Sequence, residues 1–496
     1  MTHRPTDKTR VIIVTAANLR QSHLYLNGAV EFFPKDAIGP ASARSGVGRE
    51  VQLDVVGLDA PVFTDLPVNA NNGRPRGIFR RRAWVKEFFA AHKIKAGDSV
   101  VIERKELFRY EVRPSKAVVR FRIAEFFAGI GLVRLAFEQH ACDVVFANDI
   151  DPQKLEIYKE NFGDLDFALG DIHKLNADDI PAADVYTASF PCNDLSIAGA
   201  MAGLDGKESS AFWGLISILK SKRNQGKQPK IVLLENVPGF LMSNSGKDLE
   251  TALVALNDLG YAVDLMIIDA ARFVPQSRAR LFVVAQLGVP GADPFGVEPS
   301  SARTKPLVDF MLARWKNIRW AVRDLPTVPH HEPVLPSIIE NLPADDAAWW
   351  NDERTAYFMN QLSDRHARVA KGMIAGSRYS YATAFRRVRN GRSMAELRTD
   401  GIAGCLRTPR GGSGRQILFK AGRGIRKVRL LTARECARLQ GVPDTYRVTV
   451  PLNQALFGFG DAVCVPVVAW LVENYIRPVL ESETAPTTAR SLLLSV

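Results

Sequence analysis

Cys192 stands in the segment SFPCNDLSIAGAMAGLDG, directly after a proline and ahead of a run that includes Gly199, Gly203 and Gly206. A cysteine thiolate is a potent nucleophile near neutral pH, and a glycine-rich loop behind it is able to close over a substrate. A lone cysteine is more often a small buried hydrophobe, so the weight rests on its company. The run IVLLENVPGF sets Glu235 and Asn236 at the end of a purely apolar stretch. A carboxyl at such a place is positioned to titrate high and to serve as an acid. In RFVPQSRARLFVV, Gln276, Arg278 and Arg280 alternate, and the period of two on a strand puts both arginines on one face. A nucleophile, an acid and paired cations are the parts of a covalent mechanism.

A second constellation lies upstream. EFFAGIGL follows an expected strand and precedes an expected helix. Gly129 and Gly131 let the backbone turn sharply and approach a ligand. The next strand ends in Asp149, about twenty residues on, where an acid can accept hydrogen bonds from ribose hydroxyls. Gly170, Asp171 and Ile172 follow at a third strand region. Turn, acid and acid in this order form a nucleoside-binding layout at the carboxyl ends of strands. No lysine of the Walker type follows the glycines, so phosphate cradling is not indicated.

Strands alternating with helices must position these groups. FRIAEFF, DVVFAND, ADVYTASF, KIVLLENV, VDLMIIDA and RLFVVAQL read as strands, and GLVRLAFEQH as a helix. That alternation implies an α/β domain, a mostly parallel sheet with helices on both faces. Residues 286–430 lose this rhythm, and helical patterning returns at TARECARLQG and CVPVVAWLVENYI. Residues 1–118 differ. Short apolar stretches separated by turn residues, with one helical segment AWVKEFFAAHKI, predict a small β-rich domain. A basic cluster, Arg74, Arg76, Arg80, Arg81 and Arg82, precedes that helix.

The 496 residues carry a formal net charge of +12, which suits a polyanionic partner. The five cysteines include no C-x-x-C pair, which argues against both a metal site and a disulfide framework and fits a reducing cytoplasm. No run of eighteen apolar residues and no signal peptide core is read, so neither a membrane span nor export is expected.

In motif order and content the chain resembles the cytosine-5 DNA methyltransferase family across residues 121–477. FAGIG matches the first motif, the strand ending at Asp149 the second, Pro191-Cys192 the Pro-Cys motif, and Glu235-Asn236-Val237 the Glu-Asn-Val motif. Gln276, Arg278 and Arg280 match Gln-x-Arg-x-Arg, RLLTARECARLQGVPDTY the ninth motif, and GFGDAVCVPVVAWL the last. The resemblance implies a Rossmann-like, S-adenosylmethionine-dependent fold. It implies Cys192 as nucleophile, Glu235 as the group at ring nitrogen 3, Arg280 at the base oxygen, and Arg278 orienting loop and base. It places the cofactor at Phe127, Ala128, Gly129, Ile130, Gly131, Asp149, Ile150, Asp171, Ile172 and Asp461. The target base, buried in a duplex, must be flipped out, with Ser196 and Gly199 of the loop on the DNA side. Double-stranded DNA is the implied partner, with a cognate restriction endonuclease acting on the same site and a monomeric enzyme. Departures are Asn193 for the usual Gln, Lys207-Glu208-Ser209 for Ser-Arg-Gly, Gly460-Asp461 for Gly-Asn, and Cys405-Leu406 for Thr-Leu.

Domains are expected at 1–118, 121–326 (catalytic), 327–428 (target recognition), 429–480 (motifs returning to the catalytic domain) and 481–496 (tail). Residues 401–430 hold eight Lys or Arg and no acid. Arg407, Arg410 and Arg415 are the candidates there for contacts to phosphates or guanine edges. FPKDAIG with IFRRRAWVKEFFAAHKIKAGDSVVIER resembles the pseudobarrel DNA-binding domain of plant transcription factors and of some restriction-endonuclease effector domains. Two other readings remain open: tRNA cytosine methylation on the same fold, and a catalytically silent DNA-binding protein.

Overall fold

The computed structural model describes residues 8–26, 29–70, 72–95, 98–115, 120–191, 210–330, 334–389, 391–408 and 414–484. The chain divides into two compact units, Met1–Arg120 and Phe121–Val496.

The second unit is built on a seven-stranded sheet. In chain order its first elements are β1 (Phe121–Phe126), α1 (Leu132–Glu138), β2 (Cys142–Asp149), α2 (Pro152–Phe162), β3 (Phe167–Leu169), β4 (Val185–Ala188) and α3 (Ala211–Asn224). They are followed by β5 (Ile231–Asn236), α4 (Lys247–Asp258), β6 (Tyr261–Asp269), β7 (Ala279–Leu287) and α5 (Lys305–Ala313). The strand order is β3-β2-β1-β4-β5-β7-β6. The β3, β2, β1, β4 and β5 neighbours pair in parallel, and β7 runs antiparallel to both β5 and β6. The central strands are apolar on both faces, as a covered parallel sheet requires. On β1, Phe121 and Ile123 enter one core and Ala124 and Phe126 the other. Chain reversals put the loops after β1, β2, β4 and β5 at the carboxyl edge, where α/β sheets bind ligands.

Within 286–430, which shows no rhythm in sequence, the described residues form regular elements. They include α5, then α6 (Asp352–Asn360) and α7 (Asp364–Ala375). A four-stranded antiparallel sheet of β8 (Ser380–Arg389), β9 (Arg392–Arg398), β10 (Ile417–Gly422) and β11 (Ile425–Leu430) follows, in the order β9-β8-β10-β11. Its core with the two helices mixes five alanines, Ala370, Ala382, Ala384, Ala395 and Ala421, with Phe358, Leu362, Leu397, Ile417, Phe419 and Val428. Alanine carries little hydropathy contrast, which in part hid the alternation. Leu418 on the same sheet joins the catalytic core, as do Val328, Leu335 and Leu406.

The chain then returns through α8 (Ala433–Leu439), α9 (Leu452–Asp461), α10 (Val465–Leu471), a π-helical turn at Val472–Ile476 and α11 (Arg477–Thr484). Thr432 and Glu435 form a capping box on α8, and α10 packs on α1. The segment Leu452–Ser482 is long and apolar enough to cross a membrane by length and composition. Its most apolar window is 72% buried inside the fold, however, as a core helix would be.

The first unit holds a five-stranded sheet of Thr9–Ile13, Ser99–Glu106, Arg109–Ser115, Val51–Val55 and Val62–Thr64, in that spatial order. Ile38–Gly39 and Leu66–Pro67 pair separately. Helix Ala83–Ala91 buries Trp84, Val85, Phe88 and Phe89. A short helix, Ala16–Gln21, was not expected; Thr15 and Asn18 form a capping box at its start.

Candidate active site

Strands β4 and β5 are neighbours, and their carboxyl ends are tied together. Asn236 Nδ2 donates to the Phe190 carbonyl at 3.2 Å, two residues before Cys192. Cys192, Ser196 and Gly199 lie outside the described residues, as does Arg410. Glu235, beside Asn236, is 8% exposed. Its Oε1 is 3.0 Å from Arg280 Nε.

Arg278 lies just before β7 and Arg280 within it, so strand period alone does not pair them; they converge at Cys405. Arg278 Nη1 lies 3.3 Å and Arg280 Nη2 3.9 Å from Cys405 Sγ. Burial opposes ionisation of this thiol, but Arg278, Arg280 and Arg407 outweigh it and hold its pKa below the ordinary value. Buried Cys436 and Cys464 behave oppositely: burial pushes both thiols up, Cys464 to about 12. Arg278 is itself buried. Its Nη1 donates to the Leu406 carbonyl at 2.8 Å, and its Nη2 to those of Gly460 and Ala462 at 3.0 and 2.6 Å. Desolvation, then Arg280, lowers its pKa from the usual guanidinium value. The geometry therefore gives Arg278 the part of joining segments, with Arg280 as the arginine beside Glu235.

Gln276 works on the same junction. Its Oε1 accepts from Leu406 N at 2.9 Å and its Nε2 donates to Leu439 O at 2.8 Å. Gln440, which the sequence did not single out, donates to Phe459 O at 2.7 Å and lies 3.3 Å from Gln276.

The glycine turn expected to meet the cofactor sits at the end of β1. Phe127, Gly129 and Gly131 all have positive φ, +57°, +56° and +79°. Strain in a non-glycine residue of this kind tends to gather at functional sites. A Cβ on Gly131 would lie 2.5 Å from Phe162 Cε2, so glycine is required by packing. A Cβ on Gly129 would meet nothing closer than 4.0 Å, which leaves open space over the turn for a ligand. Ala128 N bonds Asn148 O at 2.8 Å, and Ile130 is buried. Asp149 Oδ2 accepts from Gly129 N at 2.8 Å and Oδ1 from Asp151 N at 2.9 Å. Asp149 thus braces the turn, and each oxygen keeps a lone pair for a ligand hydroxyl. Ile150 is 67% exposed, an apolar face at the mouth. Asp171 caps the turn that holds buried Ile172, and Asp461 pairs with Lys154 at 2.8 Å. An open glycine turn, an exposed apolar side chain and carboxylates with acceptor capacity fit an adenosine-bearing group.

Sequence reasoning missed Glu125. It sits in β1, 1% exposed, and among the described residues no hydrogen bond of ordinary geometry reaches either carboxyl oxygen. Burial raises its pKa to about 8 against the pull of Arg134, with Asp149 and Glu138 adding to the rise. A lone acid inside FRIAEFF was the available signal.

Of the DNA candidates, Arg407 is exposed, and half-buried Arg415 donates to Asn453 Oδ1 at 2.8 Å. The basic stretch is not one surface. Arg429 is fully buried and bidentate to Glu435. In the first unit, Arg80 is likewise spent internally, on Asp65 and the Pro40 carbonyl.

The sequence profile of C-5 cytosine-specific DNA methylases matches residues 121–477. The chain belongs to that family. It is a DNA (cytosine-5)-methyltransferase, and the family is S-adenosylmethionine-dependent. The Type II methyltransferase M.NlaX of Neisseria lactamica is 30% identical over 359 residues, 71% of this chain and 96% of its own. The Type II methyltransferase M.HhaI of Haemophilus parahaemolyticus is 28% identical over 365 residues, 72% of this chain and 95% of its own. Among solved structures, the Entamoeba histolytica methyltransferase EhMeth matches with a TM-score of 0.50 at 15% identity. That match covers 73% of this chain and 99% of that one, and shows a shared fold. The methyltransferase's first 120 residues lie outside the family match.

Proposed function

We propose that this methyltransferase methylates carbon 5 of a cytosine flipped out of a specific duplex sequence, through a covalent Cys192 adduct, as the modification arm of a restriction–modification system. The observation that carries the reading is the Glu235–Arg280 ion pair, with Asn236 beside it bonded to Phe190, two residues before Cys192.

S-adenosylmethionine, held by the Phe127–Gly131 turn with Asp149, Ile150, Asp171, Ile172 and Asp461, supplies an electrophilic methyl group when bound. Cys192 adds as thiolate to carbon 6, and the ring electrons shift to make carbon 5 nucleophilic. Negative charge then builds on the ring. Glu235 acts at ring nitrogen 3 and Arg280 at the base oxygen to relieve it. A base then takes the carbon-5 proton, the electrons of that C–H bond re-form the ring double bond, and the C6–S bond breaks to release the Cys192 thiolate. Arg278 holds the Cys405–Leu406 segment against this pocket. Ser196, Gly199, Arg407, Arg410 and Arg415 are proposed as DNA contacts, and the first unit as a further one.

Cys192→Ala should abolish methylation of duplex DNA while binding survives, and it should not form the covalent complex that the wild type forms on 5-fluorocytosine DNA. Glu235→Gln should lower methyl transfer about 10²-fold or more with little change in cofactor affinity. Turnover near normal in the Cys192 variant refutes the adduct, and methylation of tRNA in preference to DNA refutes the substrate.

A further inference from the structure

The sheet of the recognition region carries a cavity that the catalytic reading leaves unused. On β10 and β11, Lys420 pairs directly with Lys427, and Tyr381 of β8 pairs with Lys420. Residues directly opposite one another in a ladder share a face of the sheet, so two ammonium groups and a phenol stand in one row. Like charges set directly across an antiparallel pair work against the sheet. Among the described residues neither lysine has a carboxylate within 4.0 Å, and none of the residues lining the cavity is acidic. Both lysines lean on aromatic rings, and Lys427 Nζ also donates to the Ala344 carbonyl. Lys420 Nζ is 4.9 Å from the Tyr379 ring centre, and Lys427 Nζ 5.6 Å from that of Trp349. Arg423 lies over the same Tyr379 ring at 5.6 Å. With Leu342 and Ile425 as apolar lining, the cavity measures about 460 Å³, within the usual span of small-ligand sites.

Unbalanced positive charge between aromatic walls asks for a ligand that is both anionic and planar. We propose that the cavity takes one nucleotide unit, its phosphate between Lys420 and Lys427 and its base against Trp349 and Tyr379, and that this unit belongs to the bound DNA at a position other than the methylated cytosine. Base–aromatic stacking tolerates any base that has left the duplex stack, at a cost of a few kcal/mol, so the contact adds affinity without reading sequence. The assignment of the unit to DNA rests on the proposed action on duplex DNA; the charge and shape of the cavity do not.

The test uses the full chain and measures affinity for a duplex carrying the methylated site, by fluorescence anisotropy between 50 and 300 mM salt. For Lys420→Gln/Lys427→Gln, affinity at 0.1 M salt should fall about tenfold, and the slope of log K against log salt should shrink by about one. The rate at saturating DNA should stay the same. Lys420→Arg/Lys427→Arg should keep the wild-type slope, which separates charge from a folding defect. Trp349→Leu should weaken binding equally at every salt concentration. Unchanged affinity and slope in the glutamine variant overturn the proposal. Deoxyadenosine monophosphate is titrated in parallel. Lysine-dependent binding of it, with DNA affinity unaffected, overturns the DNA assignment and leaves a free-nucleotide site. Wild-type methylation of the duplex is measured on the same preparation, so failure of the catalytic reading is seen separately.

Discussion

Gly129 and Gly131 are two residues apart in one turn, and the same substitution at each should fail in different ways. At Gly131 an added Cβ would stand 2.5 Å from Phe162 Cε2 and 2.9 Å from Tyr158 Cδ2, at φ +79°. The left-handed backbone costs an alanine about 1–2 kcal/mol and overpacking about 1–3 kcal/mol more, so Gly131→Ala should destabilise the catalytic unit by about 2–5 kcal/mol. At Gly129 the backbone penalty is similar, but the nearest atoms are 4.0 Å away. Gly129→Ala should therefore cost about 1–2 kcal/mol, yet its methyl group would occupy the space over the turn. A tenfold loss of S-adenosylmethionine affinity, about 1.4 kcal/mol, is the least expected. Calorimetric titration with the cofactor, alongside a thermal melt of each variant, separates the two. Gly129→Ala should melt within a few degrees of wild type and bind poorly. Gly131→Ala should melt much earlier, with its remaining folded fraction binding nearly as wild type. Wild-type affinity in Gly129→Ala would remove the cofactor from this turn.

Two further expectations concern other parts of the chain. Glu125 has a folded pKa of about 8, above the ordinary value for a glutamate. The stability that follows from its raised pKa is fully present below about pH 4.5 and is lost as pH rises through 8, a swing on the order of 4–5 kcal/mol. Glu125→Gln should flatten the melting temperature against pH over that window, and an unchanged profile refutes the assignment. Removing residues 1–118 should weaken DNA binding and alter its salt dependence if the first unit touches DNA; identical binding curves would exclude it.

Much of the catalytic unit was legible because its signals are local. The buried strands are runs of apolar residues, the turn is glycine-marked, and the ends of β2 and β5 carry Asp149 and Glu235 where the chain leaves the core. The antiparallel course of β7 was not legible. RLFVVAQL is apolar on both faces and reads the same in either direction. The four-stranded sheet of β8–β11 escaped in part because alanines on β8 and β9 give little contrast. Basic residues were overcounted as surface because composition cannot tell exposed Arg407 from Arg429, which is locked to Glu435. The partners of Gln276, Arg278 and Cys405 were beyond reach, since each depends on atoms more than a hundred residues away.

Those distant partners explain why the motifs of this family must be spread along the chain. Arg278 leaves β7's approach and donates to carbonyls at 406, 460 and 462, one in the recognition region and two at the end of α9. A buried guanidinium is tolerated only when such acceptors are present, so the segments hold one another: remove any one and a charge is stranded. Gly460 lets this happen, because a Cβ there would lie 2.5 Å from Thr408 N. Any side chain at 460 would push the 407–408 backbone away from Arg278. The same α9 end carries Asp461, paired with Lys154 near the cofactor turn. Displacement of the 403–408 segment by DNA would therefore be felt at Arg280 through Cys405 and at the cofactor end through Gly460. The 403–408 segment and the Glu235–Arg280 pair are thereby joined by a few buried hydrogen bonds rather than by a flexible linker.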